Sequence, residues 1–211
     1  MALDERPQLM ATPSPRDVAA ALDPVASEPR FAPLIEEHGH LEPQVADDPF
    51  RRLVLAIVNQ QLSIASAAAI RGRLLERFEI TPDALLAAEP EELTAAGLSR
   101  RKAEYVRGIA AAFREDALTR AAFDAMSDDE VIERLVRICG VGTWTAKIFL
   151  MFALGRPDVF PIEDLGIRRG MTNLFGKLDQ AGMLEVAERW RPVRTRASLY
   201  VWRAADMTRG G

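Results

Sequence analysis

The chain has 211 residues, of which 48% are hydrophobic and 27% are charged, and its formal net charge at pH 7 is −4. This composition argues against disorder along the whole chain and allows one large or two small domains with a buried core. The acidic balance argues against a general polyanion binder, although a basic face can still bind nucleic acid. The single cysteine, Cys139, excludes an internal disulfide and any cluster held by several thiolates.

The N-terminal residues lack the pattern that is typical of a signal peptide or of a membrane span. Residues 1–20 contain acids and prolines where a signal peptide has a basic start and an apolar run. We expect this segment to be a flexible tail, followed by one helical domain over residues 21–211. With no apolar run long enough to span a bilayer, we expect a soluble cytoplasmic protein with no membrane partner.

Helix signals dominate the first half of the chain. Asp48 and Pro49 are typical of an N-cap and a first helical residue, and an apolar stripe at helical spacing continues from there to Leu74. The polar residues at 59–63 interrupt the stripe. They indicate either a break between two helices or a polar face that reaches a ligand.

Further caps and helix ends recur toward the C-terminus, and no long internal repeat is present. The last two helices are predicted within 183–190 and 194–206. The sequence therefore predicts an all-α protein. The residues that indicate these helix starts and ends are Gly97 and Ser99, Ser127 with Glu130, Thr143 as the cap of a helix, and Gly155 as the end of that helix.

A tight turn separates the helix ending at Ile138 from the one starting near Thr143. Gly140 and Gly142 permit positive φ and close backbone approach, so they can present N–H groups beside the second helix. Such a turn suits a phosphate. An ordinary turn between two helices has the same spacing.

The following turn carries two neighbouring acids. Pro161 suits the start of a helix, so Glu163 and Asp164 are expected in its first turn, where the helix dipole favours a carboxylate. A carboxylate there is either a cap or a catalytic group. Arg168 and Arg169 follow and either pair with an acid or meet a phosphate.

The stretch "LVRICGVGTWTAKIFLMFALGRPDVFPIEDLGIRRG" resembles the helix-hairpin-helix and the following Gly/Pro-rich loop with its aspartate (HhH-GPD) of the base-excision DNA glycosylases. Within that superfamily it is most similar to the DNA-3-methyladenine glycosylase II type. The resemblance covers about residues 45–205, with the hairpin motif at about 127–155 and the catalytic loop at 156–170. It implies two helical subdomains with the active-site cleft between them. The family's well-known bacterial enzyme has an additional N-terminal β-rich domain, for which we expect no room in a chain of this length.

The resemblance assigns the catalytic aspartate to Asp164 and leaves Glu163 as an exposed or capping neighbour. Trp144 stands where glycosylases with lyase activity carry a nucleophilic lysine. An indole cannot form a Schiff base, so a monofunctional enzyme is implied. Lys147 is almost a helical turn further along and is expected to be a solvated lysine.

The resemblance also implies substrate-binding residues. Trp144 and Trp202 would be aromatic walls for an extruded base, although either could instead belong to the core. Ile148 occupies a place where the family's bacterial enzyme has an aromatic residue, which implies a wider or less stacked pocket.

The implied DNA contacts fall in two segments. Gly140, Val141, Gly142 and Thr143 would bind a phosphate, with a monovalent cation at the hairpin carbonyls when DNA is bound and no other cofactor or metal. Gln60, Gln61 and Leu62 would fill the gap left by the flipped nucleotide, with Gln61 the first choice. The alternative for this segment is a buried amide bonded to backbone. Arg100, Arg101 and Lys102 form either a basic edge to the DNA face or a solvated face.

The implied function is that of a monomeric, monofunctional DNA glycosylase acting in base excision repair. It would flip alkylated bases such as 3-methyladenine and 7-methylguanine out of double-stranded DNA and hydrolyse their N-glycosidic bonds. A bacterial protein of this kind would associate with the nucleoid. Two alternatives remain open: a non-catalytic helix-hairpin-helix DNA-binding module and a bifunctional glycosylase/lyase for oxidised bases.

Overall fold

A computed structural model describes residues 23–206, and every regular element in that range is helical, as predicted. The predicted tail at residues 1–20 lies outside the described residues. A short 3-10 turn, Pro29–Phe31, precedes the first α-helix. The α-helices are α1 Ala32–His38, α2 Pro49–Asn59, α3 Ile64–Arg77, α4 Pro82–Ala87, α5 Pro90–Ala95, α6 Arg100–Glu115, α7 Arg120–Asp124, α8 Asp128–Val136, α9 Thr143–Phe149, α10 Leu165–Phe175, α11 Gln180–Glu188 and α12 Arg194–Asp206.

Local capping chemistry explains most helix starts. The Asp48 carboxylate accepts the Arg51 N–H at 3.2 Å, and Pro49 is the first residue of α2. Ser127 and Glu130 form the predicted capping box at α8. Ser63 caps α3, so the polar segment at 59–63 does separate two helices.

Two predicted helix starts are wrong by a few residues. Thr143 is the first residue of α9 and not its cap; the N-cap is Gly142, which has no side chain to donate or accept. Pro161 does not begin a helix, because α10 starts at Leu165 with Asp164 as its N-cap. Gly155, with φ of 70°, ends the π-helical turn Leu150–Leu154 that continues α9.

The helices bury two separate cores, which confirms the two predicted subdomains. The first core is built from α2 to α9 and includes Leu53, Leu135 and Phe149. The second core is built from α1 with α10 to α12 and includes Phe31 and Trp190. Trp202 packs against both cores, so it lies where the two subdomains meet.

Two glycines let α10 lie close against α12. A Cβ on Gly170 would stand 1.9 Å from the Val201 carbonyl oxygen. A Cβ on Gly166 would stand 2.9 Å from both the Trp202 ring and an Asp164 carboxylate oxygen. The close approach of these two helices therefore brings Asp164, at the start of α10, beside Trp202 on α12.

Among the helices of residues 23–206, none has the length and apolar character needed to span a lipid bilayer.

Candidate active site

The Asp164 carboxylate lies at the N-terminus of α10. Its Oδ1 accepts the Ile167 N–H at 2.9 Å, which caps the helix. The free N–H groups of the first turn and the helix dipole favour a negative charge at this position. The local sequence thus holds the Asp164 side chain at the N-terminus of α10. The second carboxylate oxygen, Oδ2, takes no part in this cap.

Two indole groups donate to this carboxylate. Trp144 Nε1 donates to Asp164 Oδ2 at 2.8 Å, and Trp202 Nε1 donates to Asp164 Oδ1 at 2.8 Å. Trp144 is on α9 in the first subdomain and Trp202 is on α12 in the second. The carboxylate therefore bridges the two subdomains, and its three donors suit an ionised group, which only accepts hydrogen bonds.

Trp144 and Ile148 line one cavity, as expected of two residues of a single pocket. The cavity has a volume of about 480 Å³, within the usual range of small-molecule sites. The Trp144 side chain is exposed, at 37%, and is therefore not a core residue. The other lining residues are Arg52, Ala56, Asn59, Gln60 and Gln61.

Trp202 lines a neighbouring cavity of about 520 Å³ and not the cavity of Trp144. Its ring stacks on Phe152, with the ring centres 6.0 Å apart and the planes at 29°. Trp202 thus packs against Phe152 and is partly exposed to the cavity. Arg52, which lines both cavities, and Phe152 were not identified from the sequence, because no local motif marks either residue.

Lys147 is not a solvated lysine, contrary to the expectation. Its ammonium group contacts Glu163 Oε1 at 2.8 Å, and the Lys147 side chain is only 20% exposed. Glu163 therefore serves as the partner of Lys147, and its backbone carbonyl accepts from Arg168 at 3.4 Å. The acidic pair is divided: Glu163 faces the lysine and Asp164 faces the two tryptophans.

The hairpin turn needs glycine at one of its two positions. Gly140 has φ of 90°, and a Cβ there would stand 2.4 Å from the Tyr105 ring. Gly142 has φ of −97° and open space around it. The N–H of Val141 donates to the Ile138 carbonyl at 3.0 Å and its side chain is buried, so the prediction that this N–H meets a phosphate does not fit the geometry.

The polar turn after α2 is held by residues distant in sequence. The Gln60 amide donates to the Thr145 hydroxyl at 3.3 Å, which ties this turn to α9. Gln61, with φ of 57°, and Leu62 are exposed at the tip. Gln60 is therefore a tether, whereas Gln61 and Leu62 have the exposure that a gap-filling residue needs.

Lys102 is not part of a basic edge. Its ammonium group donates to the carbonyls of Val58 and Gln60 at 2.7 and 2.6 Å, so it satisfies the C-terminal end of α2. Burial lowers the pKa of Lys102. Arg100 and Arg101 are exposed, and Arg101 lies over the Tyr105 ring.

Comparisons with known proteins place this chain in a family. The profile of the HhH-GPD superfamily base excision DNA repair proteins matches residues 54–194. DNA-3-methyladenine glycosylase 1 of Schizosaccharomyces pombe is 33% identical over 169 residues, which are 76% of this chain and 74% of the relative.

Two solved structures share the architecture. A DNA-3-methyladenine glycosidase from Bacillus halodurans is 36% identical with a TM-score of 0.78, and the match covers 89% of each chain. The Schizosaccharomyces pombe 3-methyladenine DNA glycosylase Mag1, solved in complex with abasic DNA, is 29% identical with a TM-score of 0.77, over 88% of this chain and 95% of Mag1. The chain therefore belongs to the HhH-GPD superfamily of base excision DNA repair proteins.

Proposed function

We propose that the protein is a monofunctional DNA glycosylase that hydrolyses the N-glycosidic bond of alkylated bases, such as 3-methyladenine and 7-methylguanine, in double-stranded DNA. The observation that carries this proposal is the Asp164 carboxylate, held by two indole N–H groups where the two subdomains meet. The relatives named as 3-methyladenine glycosylases support the same substrate class. We propose further that it works in the compartment that contains the DNA.

Access to the damaged base requires that its nucleotide leave the DNA duplex. A base in duplex DNA is covered by its neighbours, so the nucleotide rotates into a cavity, and weakened pairing at a lesion lowers the cost of this step. The cavity beside Trp144 offers an exposed indole for stacking. Gln61 or Leu62, exposed at the tip of the polar turn, would fill the gap left behind.

DNA would be held by the turn between α8 and α9. The N–H groups of Gly142 and Thr143 lie at the N-terminus of α9, where backbone donors favour an anion. We also propose that backbone carbonyls of this turn bind a monovalent cation when DNA is bound. Exchange of potassium for a bulky organic cation would then weaken DNA binding.

The chemistry needs a negative charge near the sugar. Alkylation at N3 or N7 makes the purine cationic, so it leaves with the electron pair of the C1′–N bond without a strong general acid. Positive charge then develops on the sugar, and the ionised Asp164 would stabilise it or orient the water whose oxygen bonds to C1′. The proton lost by that water passes to solvent.

The residues around Asp164 also argue against lyase activity. Trp144 lacks a nucleophilic amine, and the nearby amine of Lys147 is paired with Glu163. A Schiff base with the sugar requires a free amine. We therefore propose that the enzyme leaves an intact abasic strand.

The test is base release from methylated duplex DNA under single-turnover conditions, with each released base resolved by chromatography. We expect release of 3-methyladenine and 7-methylguanine, and we expect Asp164→Asn to abolish it while DNA binding is largely retained. Wild-type release by that variant would refute the catalytic assignment. DNA binding without any base release would favour a non-catalytic module, and a borohydride-trapped covalent complex would favour a lyase.

A further inference from the structure

Arg52 lies between the two cavities of the cleft. This α2 residue lines both the cavity of Trp144 and that of Trp202. Its guanidinium carbon lies 5.3 Å from the centre of the Phe152 ring, and Phe152 in turn stacks on Trp202. A stack of guanidinium on aromatic rings keeps the group in one place.

The Arg52 side chain is half-buried, and its Nε is a buried atom with no hydrogen-bond partner within the described residues. Burial lowers the pKa of Arg52, and no carboxylate among residues 23–206 opposes this effect. Arg134 and Arg196 also leave Nε unpaired, but each is ion-paired, with Asp116 and Asp23 respectively. Among the described residues, Arg52 therefore has no ion-pair partner for its charge and no acceptor for its Nε–H.

A phosphate is a less suitable partner for these donors than a base. The Arg52 side chain is only partly exposed and lies at the wall of the cavities, whereas its neighbour Arg51 is exposed on the surface of α2. A guanidinium inside a cavity meets the edge of an extruded base. It donates to oxygen or ring nitrogen acceptors, and its charge opposes a second positive charge nearby.

We propose that Arg52 is a specificity-determining residue, which favours uncharged bases with an acceptor edge over cationic N-alkylpurines within the lesion range of the enzyme. Hypoxanthine is a suitable probe because it is neutral and offers O6 and N7 as acceptors. 7-Methylguanine is the cationic counterpart. The inference rests on the proposed function, since it concerns the same cavity.

The experiment compares single-turnover rates of the full chain on duplexes with one hypoxanthine or one 7-methylguanine. Arg52→Met removes charge and donors but keeps an unbranched stem, and Arg52→Gln keeps donors without charge. Arg51→Met removes the same charge one residue away, outside both cavities. Thermal unfolding of each variant verifies folding, and Arg52→Gln supplies the readout if Arg52→Met does not fold.

We expect Arg52→Met to raise the ratio of 7-methylguanine to hypoxanthine release by about tenfold, given the charge interaction across a protein cavity. Arg52→Gln should raise it less, because it still donates to hypoxanthine. Arg51→Met should change both rates equally. An unchanged ratio in the Arg52 variants, or an equal fall of both rates, would overturn the inference but leave the proposed function intact. If the wild type releases no alkylated base, the proposed function itself fails.

Discussion

The hydrogen bond from Trp202 to Asp164 can be tested by Trp202→Phe. This change removes the Nε1–H that donates to Asp164 Oδ1 at 2.8 Å and keeps an aromatic ring to stack on Phe152. A hydrogen bond to a charged group contributes about 1.5–3 kcal/mol. Because Oδ1 keeps the Ile167 N–H, we take the lower end of this range.

A loss of about 1.5 kcal/mol in the positioning of the carboxylate corresponds to about a tenfold lower rate of base release. The assay is single-turnover release of 7-methylguanine, with DNA affinity measured in parallel. Since Trp202 acts here through Asp164, we expect the rate of bond cleavage to fall while DNA affinity stays within about twofold.

Trp190→Phe is the matched control for the same substitution. Trp190 is buried in the second core, and its Nε1 has no hydrogen-bond partner within the described residues. The control loses packing but no hydrogen bond, so it should lower the unfolding temperature and leave the rate unchanged well below that temperature. Equal rates for Trp202→Phe and the wild type, or an equal fall in both variants, would refute the positioning role.

Four further substitutions test packing and charge. Gly170→Ala should prevent stable folding, because its Cβ would meet the Val201 carbonyl oxygen at 1.9 Å. Gly108 on α6 has open space around it, so Gly108→Ala should raise the free energy of unfolding by about 0.5–1 kcal/mol. Chemical denaturation checks both variants. Lys102→Met should lower the free energy of unfolding by about 1–3 kcal/mol, because two carbonyls at the end of α2 lose their donor, and an unchanged denaturation midpoint would contradict this. Lys147→Met should leave base release within about threefold of wild type, since its pair with Glu163 is a partly exposed ion pair; a complete loss would show that the amine takes part in the chemistry.

Local chemistry made the helices predictable from the sequence. The Asp48–Pro49 start, the Ser127–Glu130 capping box and the glycine stop at Gly155 depend on residues within a few positions of each other. The predicted starts at Thr143 and Pro161 were misplaced. At Pro161 a stronger signal follows three residues later, because the Asp164 carboxylate caps α10. At Thr143 the helix starts one residue earlier than predicted, with Gly142 as its N-cap.

The motif at residues 135–170 was sufficient to place Asp164 and Trp144 in a glycosylase fold, and the family comparison agrees with that fold. The sequence did not indicate what these side chains contact. Trp144 and Trp202 are 20 and 38 residues from Asp164 along the chain. Such bonds form only after α9, α10 and α12 have packed together.

The amino-acid sequence by itself determined the helices, their caps and the family motif, because each of these depends on residues that are close together along the chain. The tertiary structure alone decided the partners of each charged or aromatic side chain at the cleft. In the tertiary structure Glu163 pairs with Lys147, both indoles donate to Asp164, and Arg52 Nε has no acceptor within the part of the chain that the structure describes. The physical reason is that hydrogen bonds and ion pairs require contact in space, and helix packing brings together residues far apart in sequence.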